Sequence, residues 1–469
     1  MKIEQLYTGC LAEAAYYIES DGEAAIIDPL RETEPYIELA KKRGTQIKYI
    51  FETHFHADFV SGHVDLAQKT GATIVYGPNA QTTYDIHQAV DGEEFQLGKI
   101  KFKALHTPGH TLESTTFLLF DENQQEHAIF SGDTLFIGDV GRPDLAIKSD
   151  LTIEDLAGML YDSLRNKIMP LPNEVMVYPA HGAGSACGKN MSKETFDTLG
   201  NQKATNYALR ADMTKEEFIQ EVTSGILPPP QYFAKNANLN KVGYEAVDQV
   251  LARGSRALSL PEFENEVEKG ALILDVRHQS DFIKGFIPKS LFVGIDGSFA
   301  VWVGTLIKNI EQPIVLITPE GREEETVKRL ARVGYDNTLG FLAGGIETWQ
   351  SAGKPIETLI SASAQEVAEL LKTSSVNLLD VRKPSEYEAE HALHAQSYPL
   401  DFINNHLADL DQDKSYHVYC RSGYRSVVAC SILKAHGYAN LVDVSGGFQA
   451  ISQTDIERTQ FVCPSTITA

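Results

Sequence analysis

Cysteine is scarce in this chain and shows no pairing pattern. Five residues, Cys10, Cys187, Cys420, Cys430 and Cys463, are odd in number and form no CxxC spacing. That argues against a disulfide framework or a structural zinc knuckle, and for a reducing compartment. Positive charge is also short: 41 Lys and Arg stand against 64 Asp and Glu, for a net charge of −23. With no concentrated basic patch to offset this, nucleic acid and anionic membrane are not expected partners, and anionic substrates must be drawn in by local Arg, Lys or metal charge. No stretch approaches the roughly 20 uninterrupted apolar residues of a membrane span. The opening MKIEQLYTGC lacks a basic region followed by an apolar core, so a soluble, cytoplasmic protein is the expectation. The 469 residues, 43% of them hydrophobic, allow about three ordinary globular domains.

A more local absence says more. The run Thr53-His54-Phe55-His56-Ala57-Asp58-Phe59 nearly completes a His-x-His-x-Asp-His metal signature but ends in Phe59 where the last His would stand. A site that fills two metal positions needs that imidazole, so one ion per chain is expected. Further donors lie downstream at turns. His110 follows Thr107-Pro108-Gly109, a tight turn that would hold an imidazole at a strand end. Asp133 follows the apolar run Ala128 to Phe130, and His181 sits in Tyr178-Pro179-Ala180-His181-Gly182. A lone His in an apolar context is usually structural, but four such elements in this order are hard to ascribe to chance. His54, His110 and Asp133 would supply two imidazoles and one carboxylate, the triad that leaves open positions on a non-haem Fe(II). Zinc accepts the same ligands and would favour hydrolysis by activated water. Ligand type does not choose between them. His56, Asp58 and His181 then become candidates for orienting ligands or touching substrate.

In the first part, apolar runs at Ala24 to Pro29, Tyr49 to Phe51, Thr73 to Tyr76 and Phe117 to Phe120 read as strands, with the metal residues just after such runs. A polar helical stretch from about Ser192 to Gly225 follows, and the domain is expected to end near residue 250. The second half is duplicated. Leu274-Asp275-Val276-Arg277 recurs 105 residues on as Leu379-Asp380-Val381-Arg382, Gly344-Gly345 recurs 102 on as Gly446-Gly447, and Thr318 aligns with Cys420 at that same offset. Helices are expected at Glu323 to Val333 and Ser426 to His436. The loop Cys420-Arg421-Ser422-Gly423-Tyr424-Arg425 lies between the expected strand His417 to Tyr419 and the second of these helices. There a thiol gains from the helix dipole and from backbone N–H groups curled around it, which favour the thiolate. Arg421 and Arg425 add positive charge for an anionic sulfur donor. The Cys-x5-Arg pattern of phosphatases is not met, because the sixth residue after Cys420 is Ser426. The first copy reads Thr318-Pro319-Glu320-Gly321-Arg322-Glu323: the thiol is gone, Pro319 removes an N–H, and glutamates repel anions.

The block Thr53 to Gly62, the segment Gly138 to Leu145 and the turn His181 to Lys189 resemble the persulfide dioxygenases, particularly those fused to rhodanese domains, and the Cys420 loop resembles rhodanese sulfurtransferases. The resemblance covers essentially the whole chain. It implies a multidomain α/β protein: a metallo-β-lactamase-like αββα sandwich over 1–250, a degenerate rhodanese domain over 251–358 and an active one over 359–469. It implies one Fe(II) on His54, His110 and Asp133, oxidising the outer sulfur of a thiol persulfide to sulfite with O2. Cys420, with Arg421 and Arg425, would carry a sulfane sulfur that sulfite accepts to give thiosulfate. The thiol carrier could be of glutathione, coenzyme A or bacillithiol type, and a homo-oligomer is expected. Arg142, Cys187 and Lys189 are expected near the substrate, with Cys187 a partly activated thiol beside Lys189. The alternative is a zinc-dependent, glyoxalase-II-like thioester hydrolase fused to a sulfurtransferase, against which Phe59 counts. A non-catalytic sulfur carrier is a third reading, which the intact triad opposes.

Overall fold

The computed structural model describes residues 1–146, 151–189 and 191–463. The chain forms two compact units, residues 1–247 with 331–334, and residues 248–330 with 335–469. Among the described residues, no helix is long and apolar enough to cross a membrane.

The first unit is built on two six-stranded sheets. One holds β1 (Lys2–Thr8), β2 (Glu13–Ser20), β3 (Glu23–Ile27), β4 (Gln46–Phe51), β5 (Thr73–Tyr76) and β6 (His87–Gln88) in that order. The other holds β7 (Glu94–Leu97), β8 (Ile100–His106), β9 (Thr115–Phe120), β10 (Glu126–Gly132), β11 (Met176–Pro179) and β12 (Asp197–Thr198). Strand side chains alternate between faces. Tyr16, Ile18, Ala25, Ile27 and Phe51 therefore meet Phe95, Phe102, Phe117 and Phe130 between the sheets, while Tyr17, Ala24, Ile26 and Ile50 pack outward on Tyr36, Ala40 and Leu66. These last three lie on the helices Glu34–Arg43 and His63–Thr70. The second sheet is covered in turn by Leu160, Leu199 and Phe218, carried on the helices Ile153–Ser163, Leu199–Thr205 and Lys215–Thr223. The result is the expected four-layer αββα sandwich. The long helical stretch expected over 192–225 is instead a short strand and separate helices. Asn206 interrupts it by accepting from the Ala208 N–H and donating to the carbonyls of Phe136 and Asp139, and Thr214 restarts it with a capping box to Glu217.

The second unit contains two five-stranded parallel sheets of the same topology. β13 (Ala257–Leu258), β14 (Leu272–Asp275), β15 (Leu291–Phe292), β16 (Ile314–Ile317) and β17 (Thr338–Leu342) lie in the order β13-β17-β16-β14-β15. Next come β18 (Ile360–Ser363), β19 (Asn377–Asp380), β20 (Gln396–Ser397), β21 (Tyr416–Tyr419) and β22 (Leu441–Ser445), in the order β18-β22-β21-β19-β20. Both copies open their first helix with a Ser-x-x-Glu capping box, Ser259 with Glu262 and Ser363 with Glu366. The helix Tyr424–Ala435 is buried at every position from Ser426 to Leu433; a helix apolar on all sides has to be enclosed.

Candidate metal centre and sulfur-transfer loop

Four metal candidates sit just beyond strand ends on one edge of the sandwich: His54 after β4, His110 after β8, Asp133 after β10 and His181 after β11. Close backbone approach demands glycine at two of these turns. A Cβ on Gly132 would meet the Thr53 side chain at 2.6 Å, and one on Gly141 would meet the Asp133 carbonyl oxygen at 2.1 Å.

His54, His110 and Asp133 converge as expected. His54 Nε2 and His110 Nε2 stand 3.7 and 3.4 Å from Asp133 Oδ2, all three groups are buried, and these three atoms have no hydrogen-bond partner. Orphaned polar atoms at such depth are costly unless something completes them, and a divalent cation bound by two imidazoles and a carboxylate does so. The other side of each ligand is already committed. His110 Nδ1 donates to the Arg142 carbonyl at 2.9 Å, leaving the Nε2 lone pair free. Thr53 Oγ1 gives its proton to Asp28 Oδ2 at 2.8 Å, so toward His54 Nδ1, 3.0 Å away, it can only accept. This fixes the His54 tautomer with Nε2 unprotonated. Burial and the neighbouring His56 push the His54 pKa well below the usual imidazole range, which keeps it neutral. Burial opposes charge on Asp133, yet His181 and His54 together hold its carboxyl well below the usual carboxylate range.

His181 lies between two carboxylates and is hydrogen-bonded through Nδ1 alone. Nδ1 lies 2.7 Å from Asp133 Oδ1 and Nε2 lies 2.9 Å from Asp58 Oδ2. Burial alone would lower its pKa, but the two carboxylates raise it well above the imidazole range. His56 Nε2 points to Asp28 Oδ1 at 3.1 Å, with Glu52 Oε2 at 3.8 Å. Phe59 is fully buried with its ring 4.3 Å from that of His56. His56, Asp58 and His181 nevertheless bring one donor atom each within 4.8 Å of one another.

The remaining candidates have protein partners of their own. Arg142 holds Asp144 through its guanidinium at 2.6 and 2.7 Å and donates to the carbonyls of Ala186 and Leu227. Its part in the site is the carbonyl that orients His110. The Lys189 ammonium donates to the carbonyls of Glu221 and Ser224. Cys187 is 1% exposed and joins Asp133 and His181 in one cluster. Burial first, and then Asp58 and Asp133, push its thiol up, opposite to the activation expected from Lys189. Three contributors were missed. Asp28 and Glu52 position Thr53 and His56; Asp28 is a strand-end carboxylate with φ +49, the kind of departure that marks a special position. Asn240, fully buried, donates to the carbonyls of His56 and Phe59 and accepts from the Ser61 N–H, closing the ligand loop.

In the second unit, Cys420 follows β21 and its Sγ accepts from the Gly423 N–H at 3.1 Å, with Ser426 Oγ at 3.6 Å. Gly423 has φ +101, a backbone that favours glycine. Gly447 lets the next turn close in, since a Cβ there would meet the Cys420 carbonyl oxygen at 2.4 Å. Phe448 N–H then donates to that carbonyl and Gln449 N–H to that of Arg421. Arg425 is bound by both oxygens of Glu386 at 2.7 and 3.0 Å. Arg421 is exposed beside the thiol.

Comparison with known proteins agrees with this architecture. Residues 8–181 match the Metallo-beta-lactamase superfamily, and residues 259–352 and 363–454 each match the Rhodanese-like domain. Mitochondrial persulfide dioxygenase ETHE1 of Homo sapiens is 31% identical over 221 residues, spanning 46% of this chain and 78% of that protein. Cytoplasmic hydroxyacylglutathione hydrolase of Arabidopsis thaliana is 32% identical over 186 residues, 39% of this chain and 67% of that one. A crystal structure described as a metallo-beta-lactamase from Staphylococcus aureus subsp. aureus COL is 32% identical with a TM-score of 0.64, covering 73% of this chain and 98% of its own. The chain belongs to the metallo-beta-lactamase superfamily. More narrowly, its N-terminal domain is homologous to the ETHE1 persulfide dioxygenases and is fused to two rhodanese-like domains.

Proposed function

We propose that the N-terminal domain is a mononuclear non-haem Fe(II) persulfide dioxygenase, and that the second rhodanese copy is a sulfurtransferase that passes sulfane sulfur to sulfite. The observation that supports this most is the donor set: three buried ligand atoms of His54, His110 and Asp133 that converge without a hydrogen-bond partner, in a chain whose motif carries Phe59 at the sequence position of a second-site imidazole. When bound, Fe(II) supplies the open positions and the redox chemistry that zinc lacks. In the net reaction a thiol persulfide, O2 and water give the thiol, sulfite and protons, with O2 taking up the electrons the outer sulfur loses. The protein's own groups prepare this. Asp28 and Thr53 hold His54, the Arg142 carbonyl holds His110, and His181 keeps a proton between Asp58 Oδ2 and Asp133 Oδ1. At the other centre, the Cys420 persulfide gives its outer sulfur to sulfite, releasing the Cys420 thiolate and thiosulfate. A glutathione, coenzyme A or bacillithiol persulfide fits this chemistry.

A second reading is favoured by one observation. The donors of His56, Asp58 and His181 lie close enough to hold another ion, and hydroxyacylglutathione hydrolases are as similar in sequence as the dioxygenases. Metal analysis and O2 uptake separate the two. The dioxygenase binds about one iron per chain and consumes O2 with a thiol persulfide. His54→Ala, His110→Ala or Asp133→Ala should each lose most of the iron and all O2 uptake. Two zinc ions per chain, with rapid thioester hydrolysis and no O2 uptake, would establish the hydrolase instead.

A further inference from the structure

The degenerate rhodanese copy touches the reactive loop of the active one at a specific place. Tyr424 follows Gly423, whose N–H meets Cys420 Sγ, and it begins the buried helix. Its hydroxyl donates to the Gly294 carbonyl at 2.9 Å, and its ring lies 6.1 Å from that of Phe292. Two glycines accommodate that ring. A Cβ on Gly297 would meet Tyr424 Cζ at 2.5 Å, and one on Gly294 would meet Cε2 at 3.2 Å. Neither has the positive φ that would by itself favour glycine; at Gly297 it is the ring's close approach that demands it, while at Gly294 Phe292 Cζ and the Arg277 carbonyl oxygen crowd the position at 3.0 and 3.1 Å alongside the ring. Two helical turns on, on the same helix face, Ser431 Oγ accepts from the Phe292 N–H at 3.0 Å.

The segment Phe292 to Gly297 is braced from its other side by the degenerate copy's own helix. Arg322, which aligns with Tyr424, holds Asp296 at 2.6 Å, and Arg329, which aligns with Ser431, donates to the Ile295 carbonyl at 2.6 Å. Two arginines of the first copy, at the positions of Tyr424 and Ser431 in the second, thus hold the segment against which the second copy's loop rests.

We infer that the degenerate domain is a positioning element for sulfur transfer: its Phe292–Gly297 segment, fixed by Arg322 and Arg329, seats Tyr424 and Ser431 and so sets the turn that aims the Gly423 N–H at Cys420 Sγ. This rests on Cys420 being the sulfur carrier. The test uses the full chain with thiosulfate as probe, where the Cys420 thiolate takes the outer sulfur and releases sulfite, and loading is followed in a single turnover by intact mass. Gly297→Val should slow loading at least about 10-fold, and Tyr424→Ala by a similar factor, the scale on which small misplacements of a nucleophile act. Tyr424→Phe, which keeps the ring, should retain loading within a few-fold. The double variant Gly297→Val/Tyr424→Ala should be no slower than Tyr424→Ala alone, because the added methyls then have no ring to displace. Independent, multiplying losses, or unchanged loading in Tyr424→Ala, would overturn the inference. If Gly297→Val does not fold, Tyr424→Ala with Ser431→Ala decides it: slowed loading with O2 uptake intact supports the brace, and normal loading overturns it. Wild-type protein that never loads Cys420 would instead defeat the sulfurtransferase reading on which the brace depends.

Discussion

The two rhodanese copies share a frame and differ in what the frame carries. In both, an Arg two residues after a buried strand-end Asp folds back on it: Arg277 on Asp275 and Arg382 on Asp380, each also donating to a carbonyl further on, Gly285 or Glu390. In both, a glycine pair of positive φ packs beneath the loop, Gly344-Gly345 and Gly446-Gly447. Yet the N–H that meets Cys420 Sγ in the second copy is matched in the first by the Gly321 N–H donating to the Glu323 carboxylate at 3.2 Å. The first loop has supplied its own anion. A fold can therefore keep its scaffold intact while an internal carboxylate closes the anion site that the chemistry required.

The largest way to break this comparison is at the nucleophile. Cys420→Ser keeps the loop and its arginines, and should lower thiosulfate:cyanide sulfur transfer by roughly 1,000-fold or more, the scale on which loss of a covalent nucleophile acts. Residual transfer near wild type would mean another thiol carries the sulfur. A smaller effect is expected from rebuilding the first copy. Thr318→Cys in a Cys420→Ser background should give no useful transfer, since Pro319 lacks an N–H and Glu323 already accepts from Gly321. Replacing Thr318 to Glu324 with the sequence of Cys420 to Ser426 should restore sulfur loading to within about 100-fold of the native site, because the frame is shared and the remaining error is positional. Loading by Thr318→Cys alone would show that the carboxylate is no obstacle.

The smallest effect concerns a charge that the second copy alone carries at this position. Asp443, where the first copy has Phe341, is 3% exposed, and burial pushes its pKa up to about 6 despite hydrogen bonds from Ser426 and Ser361. Because the folded value lies above the unfolded one of 3.8, protonation favours the fold. That contribution is full below about pH 4 and is lost as pH rises through about 6. At pH 8 the buried charge costs up to roughly 3 kcal/mol. Asp443→Asn should therefore be close to neutral at pH 4 and stabilising at pH 8, read as a shift in Tm of the second unit; an equal shift at both pH values would show that the carboxylate is not the cause.

Much of this was legible from residues alone, and the exceptions have a common cause. His54, His110, Asp133 and His181 could be read because each follows an apolar run and a turn, both local signals. The strand before Cys420 was expected over His417 to Tyr419 and runs from Tyr416 to Tyr419, while its helix begins at Tyr424, two residues before the expected Ser426. What escaped depends on contacts between distant segments. Asp28 reaches Thr53, Asn240 reaches His56 and Phe59, Glu386 captures Arg425, and Tyr424 reaches Gly294. The side-chain partners of Arg142 beyond its own turn, the carbonyls of Ala186 and Leu227, and those of Lys189, the carbonyls of Glu221 and Ser224, are likewise set by the fold. The sequence neighbour Lys189 suggests an activated Cys187, whereas burial and then its neighbours in space, Asp58 and Asp133, work the other way.

The most direct test of two linked sulfur chemistries in one chain is the product balance of a single reaction. Iron-loaded protein is given a thiol persulfide in air-saturated buffer, and O2 uptake, sulfite and thiosulfate are quantified together for the wild type and Cys420→Ser. The account predicts O2 uptake in both, with thiosulfate prominent in the wild type and replaced by sulfite in the variant. No O2 uptake in either, or the same thiosulfate yield in both after correction for the uncatalysed reaction of sulfite with persulfide, would contradict it.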